Sequence, residues 1–348
     1  MGAWLLGCSP SPSPIAYPER LSAYDFFEGP PVAQRPGAGA RPYEINTPLF
    51  SDYAEKLRFV RLPKGTSARY QGDRTLDFPV GTTIAKTFLY PLDARNPSGG
   101  RRLVETRLLI REREGWLGLP YVWNDEQSDA VLQQGGERKT VAWVDASGER
   151  REVDYLVPSS ADCGLCHDAN GLGTEPLGTK PAQLHRPVMY AGTEQNQLAL
   201  WTREGLVAGL PALEQLPHYP LWDDPGGASL DARARAYLDV NCAHCHAPNG
   251  PASSAALDLR FSQDLPRRFG VFKRPVAAGR GSGGRLYDIW PGRPEESILL
   301  LRLESTEPGV MMAELGRTLI DREGVALVRA WIAAMNADSF RSPSSGLR

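Results

Sequence analysis

Two five-residue segments decide how this chain is organised: Cys163-Gly164-Leu165-Cys166-His167 and Cys242-Ala243-His244-Cys245-His246. Both have the form C-x-x-C-H, the pattern by which a c-type haem is attached. The two cysteines can each form a thioether bond with a vinyl group of one porphyrin, and the histidine that follows is placed to bind the iron. The sequence therefore predicts two haem c groups, with Cys163, Cys166, Cys242 and Cys245 as thioether positions and His167 and His246 as proximal iron ligands.

Other uses of paired cysteines fit this chain less well. Five cysteines in 348 residues are too few for a disulfide-dense scaffold. A zinc ribbon usually brings its two C-x-x-C pairs closer together than the roughly eighty residues that separate these pairs, and it needs no histidine directly after each pair. The repetition of the whole pentapeptide therefore favours haem over a disulfide or a zinc site.

The sixth iron ligand is predicted separately for each haem. For the second haem we expect Met312, in a loop before the last helix, with its neighbour Met311 as the direct competitor. Methionine ligation raises the reduction potential of a haem, so this centre would be the higher-potential one. For the first haem the candidates are Met189, His185 and His218, an open coordination site, and more remotely Lys180.

The rest of the chain changes character near residue 158. Residues 57–62, 83–90 and 103–110 alternate apolar and polar side chains, which is typical of half-buried strands. Residues 195–208, 229–240 and 321–335 have the apolar spacing of amphipathic helices. We therefore expect an α+β multidomain chain, with an N-terminal antiparallel β-sandwich or barrel-like domain followed by two mainly α-helical cytochrome c-type domains.

The expected divisions follow these changes in composition. Residues 1–40 would be an N-terminal tail, 41–158 the β-rich domain, 159–225 the first haem region with a linker, and 226–340 the C-terminal cytochrome c domain with the second haem. Leu5-Leu6-Gly7-Cys8 resembles a bacterial lipoprotein cleavage box, and the Ser-Pro repeat after it resembles a tether. This pattern predicts a lipid anchor at Cys8 and a periplasmic location in a Gram-negative bacterium.

Two compositional features exclude other classes of partner. No run reaches the roughly 18 apolar residues that a membrane-spanning helix needs. The formal net charge of -2 gives no indication of nucleic-acid binding.

Several segments resemble a known family, the SO2930-like diheme c-type cytochromes, which are named after a Shewanella protein. The matching segments are residues 43–56, 118–124, 236–246 and 307–317, and the resemblance extends over nearly the whole chain. The C-terminal part is also similar to bacterial cytochrome modules in which a Met-Pro-x-x-Gly-like loop supplies the distal methionine. That resemblance implies Met312 rather than Met311 as the ligand, although Ala313 stands where proline is usual. The family implies haem binding and electron transfer, without a substrate.

Three functions follow from these predictions. The first is single-electron transfer in the periplasm through two covalently bound haems, with a redox partner protein that the sequence does not identify. The second is a diheme peroxidase-like or oxygenase-like enzyme with an open first haem. The third is a haem-bearing binding protein whose β domain docks a partner, suggested by an aromatic set in that domain: Tyr90, Trp116, Tyr121, Trp123 and Trp143.

Overall fold

A computed structural model of the chain describes residues 17–167, 175–276 and 278–340. The predicted anchor residue Cys8 lies outside these ranges. The strands are β1 (Ala40–Pro42), β2 (Glu55–Arg61), β3 (Ala68–Arg69), β4 (Thr83–Pro91), β5 (Arg101–Arg111), β6 (Trp116–Trp123), β7 (Ala130–Leu132), β8 (Glu137–Val144), β9 (Arg150–Val157), β10 (Pro187–Tyr190), β11 (Thr193–Asn196) and β12 (Val207–Ala208). The helices are α1 (Ser160–His167), α2 (Pro181–Leu184), α3 (Gln197–Arg203), α4 (Leu230–Asn241), α5 (Pro266–Phe269), α6 (Ile298–Leu303) and α7 (Arg322–Ala334).

A six-stranded antiparallel sheet forms the N-terminal half of the fold. Its strand order is β1-β2-β4-β5-β6-β7, and the predicted strands at residues 57–62, 83–90 and 103–110 correspond to β2, β4 and β5. Alternation of side chains buries one set of residues on each face. The expected antiparallel β domain is therefore confirmed.

A hairpin of β8 and β9 covers one face of this sheet. Apolar side chains of the hairpin, among them Val141, Trp143 and Val153, share a buried cluster with Phe88 and Tyr90 of β4. The cavity described below lies on the same face, because Ile84 and Lys86, which line it, alternate in register with Phe88 and Tyr90 on β4. The other face is covered by the N-terminal segment, where Leu21 and Phe26 share a buried cluster with Ala85 and Leu89. The hairpin and the two C-x-x-C-H segments thus share one face of the sheet.

The expectation of two mainly α-helical cytochrome domains is wrong. Within the described ranges, the segment after the β domain contributes only the short helices α1, α2 and α3, together with the hairpin β10–β11 and the parallel pair β12–β3. Leu184, Leu198 and Trp201 of this segment are buried against Tyr43 and Val60 of the sheet region, in one hydrophobic cluster. The segment does not build a helical core of its own, because its apolar residues complete the core of the sheet.

The C-terminal part is built around the crossing of α4 and α7. Ser229 caps α4 by accepting a hydrogen bond from the Ala232 amide at 3.2 Å, and Asp321 caps α7 by accepting one from the Gly324 amide at 2.9 Å, as expected of N-cap residues. At the crossing, a side chain on Gly324 would lie 2.3 Å from the hydroxyl oxygen of Tyr237. Much of the remaining chain between these helices is irregular, so this part also departs from the expected helical domain.

The N-terminal and C-terminal parts are joined by a buried carboxylate. Asp52, which is 2% exposed, accepts hydrogen bonds from the backbone amides of Thr318 and Leu319. No helix in the described part of the chain has the length and apolar character needed to cross a membrane.

Candidate functional site

One cavity of about 690 Å³ lies between the main sheet, the first C-x-x-C-H segment and the second. Its volume is within the range of about 300–1,000 Å³ that is usual for small-molecule and cofactor sites. Each of the two segments contributes cysteine and histidine side chains to the wall, and the loop before α7 contributes Met312. The residues of the two segments that line it are Cys163, Cys166, His167, Cys242, Ala243 and His244.

The first segment lies entirely on α1. The helix start is fixed by a reciprocal cap, because Ser159 donates its amide and its hydroxyl to the Asp162 carboxylate at 2.9 and 2.7 Å, while the Asp162 amide donates to the Ser159 hydroxyl at 3.1 Å. Cys163 then packs directly on β6. A side chain on Gly118 of β6 would lie 3.1 Å from the Cys163 sulfur, so the absence of a side chain there allows α1 to approach the sheet.

His167 is oriented as a proximal ligand should be. Its Nδ1 lies 2.6 Å from the carbonyl oxygen of Glu175, which accepts the ring proton. Burial lowers the pKa of His167 to about 3, so the ring is neutral near pH 7. A neutral imidazole whose Nδ1 donates to a carbonyl keeps Nε2 free to coordinate a metal.

The second segment begins where α4 ends. Cys242 follows the last helical residue, and the amides of Cys245 and His246 donate to its carbonyl oxygen at 3.1 and 2.9 Å, which closes a tight turn. Gly250 packs against this turn so closely that a side chain there would lie 2.2 Å from the Cys245 carbonyl oxygen. The turn therefore leaves little space for rearrangement.

His246 has a buried nitrogen without a protein partner. Its Nδ1 makes no hydrogen bond in the described part of the chain, and burial lowers the pKa of His246 to about 4. Buried polar atoms are normally paired. A neutral ring suits an iron ligand, as it does at His167, but His246 and Cys245 are not among the residues of the cavity wall.

The two segments meet at their second cysteines. Contact with the Cys245 thiol lowers the pKa of Cys166 to about 4, and the same contact raises the pKa of Cys245. His244 also contacts Cys166 and lines the cavity. The two attachment segments are therefore neighbours in space although they are distant in sequence.

Met312 lies on the wall of this cavity, whereas Met311 does not. Its loop is held by Arg317, which is 8% exposed and whose guanidinium donates to the carbonyl oxygens of Met312 at 2.6 Å and Ser305 at 2.9 Å. The Met312 amide donates to the Arg302 carbonyl at 3.0 Å. This geometry fits Met312 better than Met311 as an iron ligand.

Three of the four candidates for the sixth ligand of the first haem lie off the cavity wall. Met189 is on β10 with 68% of its surface exposed. His185 and His218 stack edge to face with ring centroids 5.5 Å apart, and neither is among the residues of the cavity wall. Lys180 does line the cavity, but its amine is paired with Asp239 at 2.9 Å.

The sequence reasoning missed the contribution of the sheet to the site. Arg58, Lys86 and Arg107, on β2, β4 and β5, line the cavity beside the first segment. The available signal was a charged residue inside an apolar strand, as at Lys86 between Ala85 and Thr87. The periodicity does not show that the three residues meet, because it does not give the register of the strands.

Within the described ranges, no three His, Cys, Asp or Glu side chains are arranged to hold a metal ion by themselves. A haem iron does not require such a cluster, because the porphyrin supplies the equatorial donors. Comparison with protein-family models, with curated proteins and with solved structures gives no significant match to this chain.

Proposed function

We propose that this chain is a diheme c-type cytochrome that transfers single electrons, with one haem c bound at each C-x-x-C-H segment. The observation that carries the proposal is that both segments border one cavity and each ends in a half-buried, neutral histidine. Haem iron changes oxidation state by one electron, and its axial ligands and surroundings set the potential. The protein would hold each porphyrin by Cys163 and Cys166 or by Cys242 and Cys245.

Each side chain has a limited task in this proposal. His167, fixed by the Glu175 carbonyl, and His246 would bind the two irons from the proximal side. Met312 would bind the second iron from the distal side, in a loop that Arg317 holds in place. The periplasmic location, the redox partner and the lipid anchor at Cys8 stay predictions.

The test is covalent haem content after production in a host that attaches haem c. The intact chain should hold two irons and two porphyrins that survive acid-acetone extraction. Cys163→Ala with Cys166→Ala should remove one porphyrin, and Cys242→Ala with Cys245→Ala should remove the other. Pigment that washes out of the intact chain, or zinc in place of iron, would overturn the proposal.

A second candidate is an enzyme with an open first iron, resembling a diheme peroxidase or an oxygenase. It is favoured by the exposure of Met189 and by the positions of His185 and His218 off the cavity wall. The reduced protein should then form a carbon monoxide complex at one haem only. If neither haem binds carbon monoxide, this candidate fails and the electron carrier remains.

The aromatic residues that suggested a binding protein do not support that alternative. Four of the five aromatic residues that suggested a docking surface are buried in the hydrophobic clusters of the β domain, and the fifth is partly buried against another cluster. The four buried residues are Tyr90, Tyr121, Trp123 and Trp143, and the partly buried one is Trp116. Aromatic residues in this position stabilise the sheet and are not available to a partner.

A further inference from the structure

Three basic side chains form a row across the main sheet. Antiparallel pairing places Arg58 of β2 opposite Lys86 of β4, and Lys86 opposite Arg107 of β5. Side chains that are directly opposite in neighbouring strands point to the same face, about 5 Å apart at Cβ, and like charges in this arrangement are destabilising. All three side chains line the cavity. The fold therefore keeps an unfavourable row of cations beside the two attachment segments.

Among the residues that the structure describes, only Arg107 of these three cations has an ion-pair partner. Arg107 forms a two-pronged ion pair with Glu105, with Nε–Oε2 and Nη2–Oε1 distances of 2.8 and 2.6 Å, and Glu105 is itself buried. Arg58 makes no ion pair in the described part of the chain, and its one contact is 3.5 Å from a carbonyl oxygen of its own strand. Lys86 has neither a hydrogen bond nor an ion pair there, and its amine stands over the ring of Phe88 at 5.1 Å. Arg58 and Lys86 therefore face the cavity without an ion-pair partner. Burial lowers the pKa of Lys86 to about 7, so a bound carboxylate would favour its charged form.

The row lies beside the first attachment segment. Burial raises the pKa of the Cys163 thiol, and the charges of Arg107 and Lys86 oppose this rise. Cys163 itself packs on Gly118 of β6, the strand next to β5. A planar group bonded to Cys163 and Cys166 would thus have the row within reach of its edge.

We propose that Arg58, Lys86 and Arg107 bind the propionate carboxylates of the porphyrin attached at Cys163 and Cys166. This inference rests on the proposed function and assigns a role to the sheet. One porphyrin carries two propionates, and two is the number of cations in the row that lack a counter-charge once Glu105 has paired with Arg107. An arginine can bind a carboxylate through two parallel hydrogen bonds, and a lysine acts on it as a point charge. The bound carboxylates would neutralise the row.

The test is a redox titration of the haem-bearing protein with Arg58→Met and, separately, Lys86→Met. A nearby cation favours the reduced haem, because reduction removes one positive charge. Each variant should therefore shift the midpoint potential of one haem to a lower value and leave the other haem unchanged. Arg58→Lys and Lys86→Arg, which keep the charge, should restore the potential and so separate charge from folding.

Arg138→Met is the control, because Arg138 on β8 is exposed, pairs with Asp154 at 2.7 Å and is not part of the cavity wall. It should leave both potentials unchanged. Inorganic phosphate distinguishes a tethered carboxylate from a free anion. A row that is already filled by propionates gives no saturable phosphate effect in the unaltered protein, whereas a row that binds free anions gives one that Arg58→Met abolishes.

The outcomes separate the two proposals. Unchanged potentials in haem-bearing Arg58→Met and Lys86→Met, or a saturable phosphate effect, would overturn the propionate inference and leave the diheme proposal standing. A chain that never acquires covalent haem would overturn both.

Discussion

Asp52 offers the sharpest test of how the two parts of the chain are held together. Its Oδ1 accepts hydrogen bonds from the amides of Thr318 and Leu319, both at 2.7 Å, and its Oδ2 accepts from the Thr318 amide at 2.9 Å and the Thr318 hydroxyl at 3.0 Å. The partners are more than 260 positions away in sequence. The carboxylate is thus a charged acceptor in a buried joint between the β domain and the segment that follows the Met312 loop.

The expected loss can be worked out from these contacts. A hydrogen bond to a charged group contributes about 1.5–3 kcal/mol, and bonds to one carboxylate are not additive. Asp52→Asn keeps one carbonyl oxygen for the two amides but loses the charge, so we expect a loss of about 1–2 kcal/mol in the free energy of unfolding. Asp52→Ala leaves both amides without the acceptor. It also places alanine at a φ of +51°, which adds about 1–2 kcal/mol, for a total of about 4 kcal/mol.

The assay is urea unfolding followed by tryptophan fluorescence. Asp145→Asn is the matched control, because the Asp145 carboxylate also accepts several hydrogen bonds, from Ser147, Glu149 and Arg151, but all within the exposed end of the β8–β9 hairpin. Asp145→Asn should lower the free energy of unfolding by less than Asp52→Asn does, because water can reach the turn. A loss below about 1 kcal/mol for Asp52→Ala would refute the reasoning, because it is less than the hydrogen bonds alone require.

Three further substitutions test the first attachment segment and the packing and capping of α7. Gly118→Ala places a methyl group 3.1 Å from the sulfur of Cys163, so the yield of haem attached at the first segment should fall while attachment at the second is unchanged, as measured by mass spectrometry of haem peptides. Gly324→Ala places a methyl group 2.3 Å from the Tyr237 hydroxyl. This overpacking should lower the free energy of unfolding in urea by about 1–3 kcal/mol, although alanine is the better helix former. Burial raises the pKa of Asp321 above 3.8, so the folded state binds the proton more tightly than the unfolded state does. The stability of the fold should therefore fall as the pH rises from 3.8 through the raised pKa. Asp321→Asn, which still caps α7, should remove this fall in thermal melts recorded across that interval.

Each of these has a control in the same chain. Gly164, in a free position of the first motif, and Gly135 have open space where a side chain would stand, so Gly164→Ala and Gly135→Ala should leave haem yield and stability close to those of the intact chain. Tyr237→Phe removes the hydroxyl that donates to Asp321 at 2.9 Å and leaves the packing. If Tyr237→Phe lowers the free energy of unfolding as much as Gly324→Ala does, close packing at the crossing of α4 and α7 does not explain the effect of Gly324→Ala. A stability profile that falls equally with and without the Asp321 carboxyl would mean that another buried acid, such as Asp288, whose pKa is also raised by burial, controls the pH dependence.

The strands and the long helices could be predicted because their signals are local. The alternation at residues 83–90 needs only the pleat of a strand to predict one, and β4 spans Thr83–Pro91, although both of its faces are largely buried. The apolar stripe at residues 321–335 needs only the helical repeat. In α7 it buries Val325, Val328 and Trp331. The two C-x-x-C-H segments are local signals of the same kind.

The predicted fold class was wrong where the sequence signal was weak and where an apolar face packs against a part of the chain that is distant in sequence. The predicted helix at residues 195–208 ends at Arg203, and Val207 joins Ala68 of β3 in a parallel pair. Leu198 and Trp201 look the same in sequence whether they bury against another helix or against a sheet. They bury against the sheet, so the first attachment segment became part of the β domain and did not form a separate helical domain.

The cavity wall could not be predicted for a related reason. Arg58, Lys86 and Arg107 come together only because the register of three strands is fixed, and a shift of one residue would turn each to the other face. The contact of Cys166 with Cys245 depends likewise on how the two parts of the chain are joined.

The charge row leads to a last prediction, about the order of the two potentials. If two propionates neutralise the cations that Glu105 leaves unpaired, the first haem has no excess charge beside it, and the axial ligands decide between the two centres. Met312 would then make the second haem the higher in potential, so electrons would pass from the first haem to the second. Met312→Ala should lower the upper potential in a redox titration and bring the two centres closer together. A variant in which the lower potential moves instead would mean that Met312 binds the other iron, and that the direction of transfer inside the molecule is the reverse.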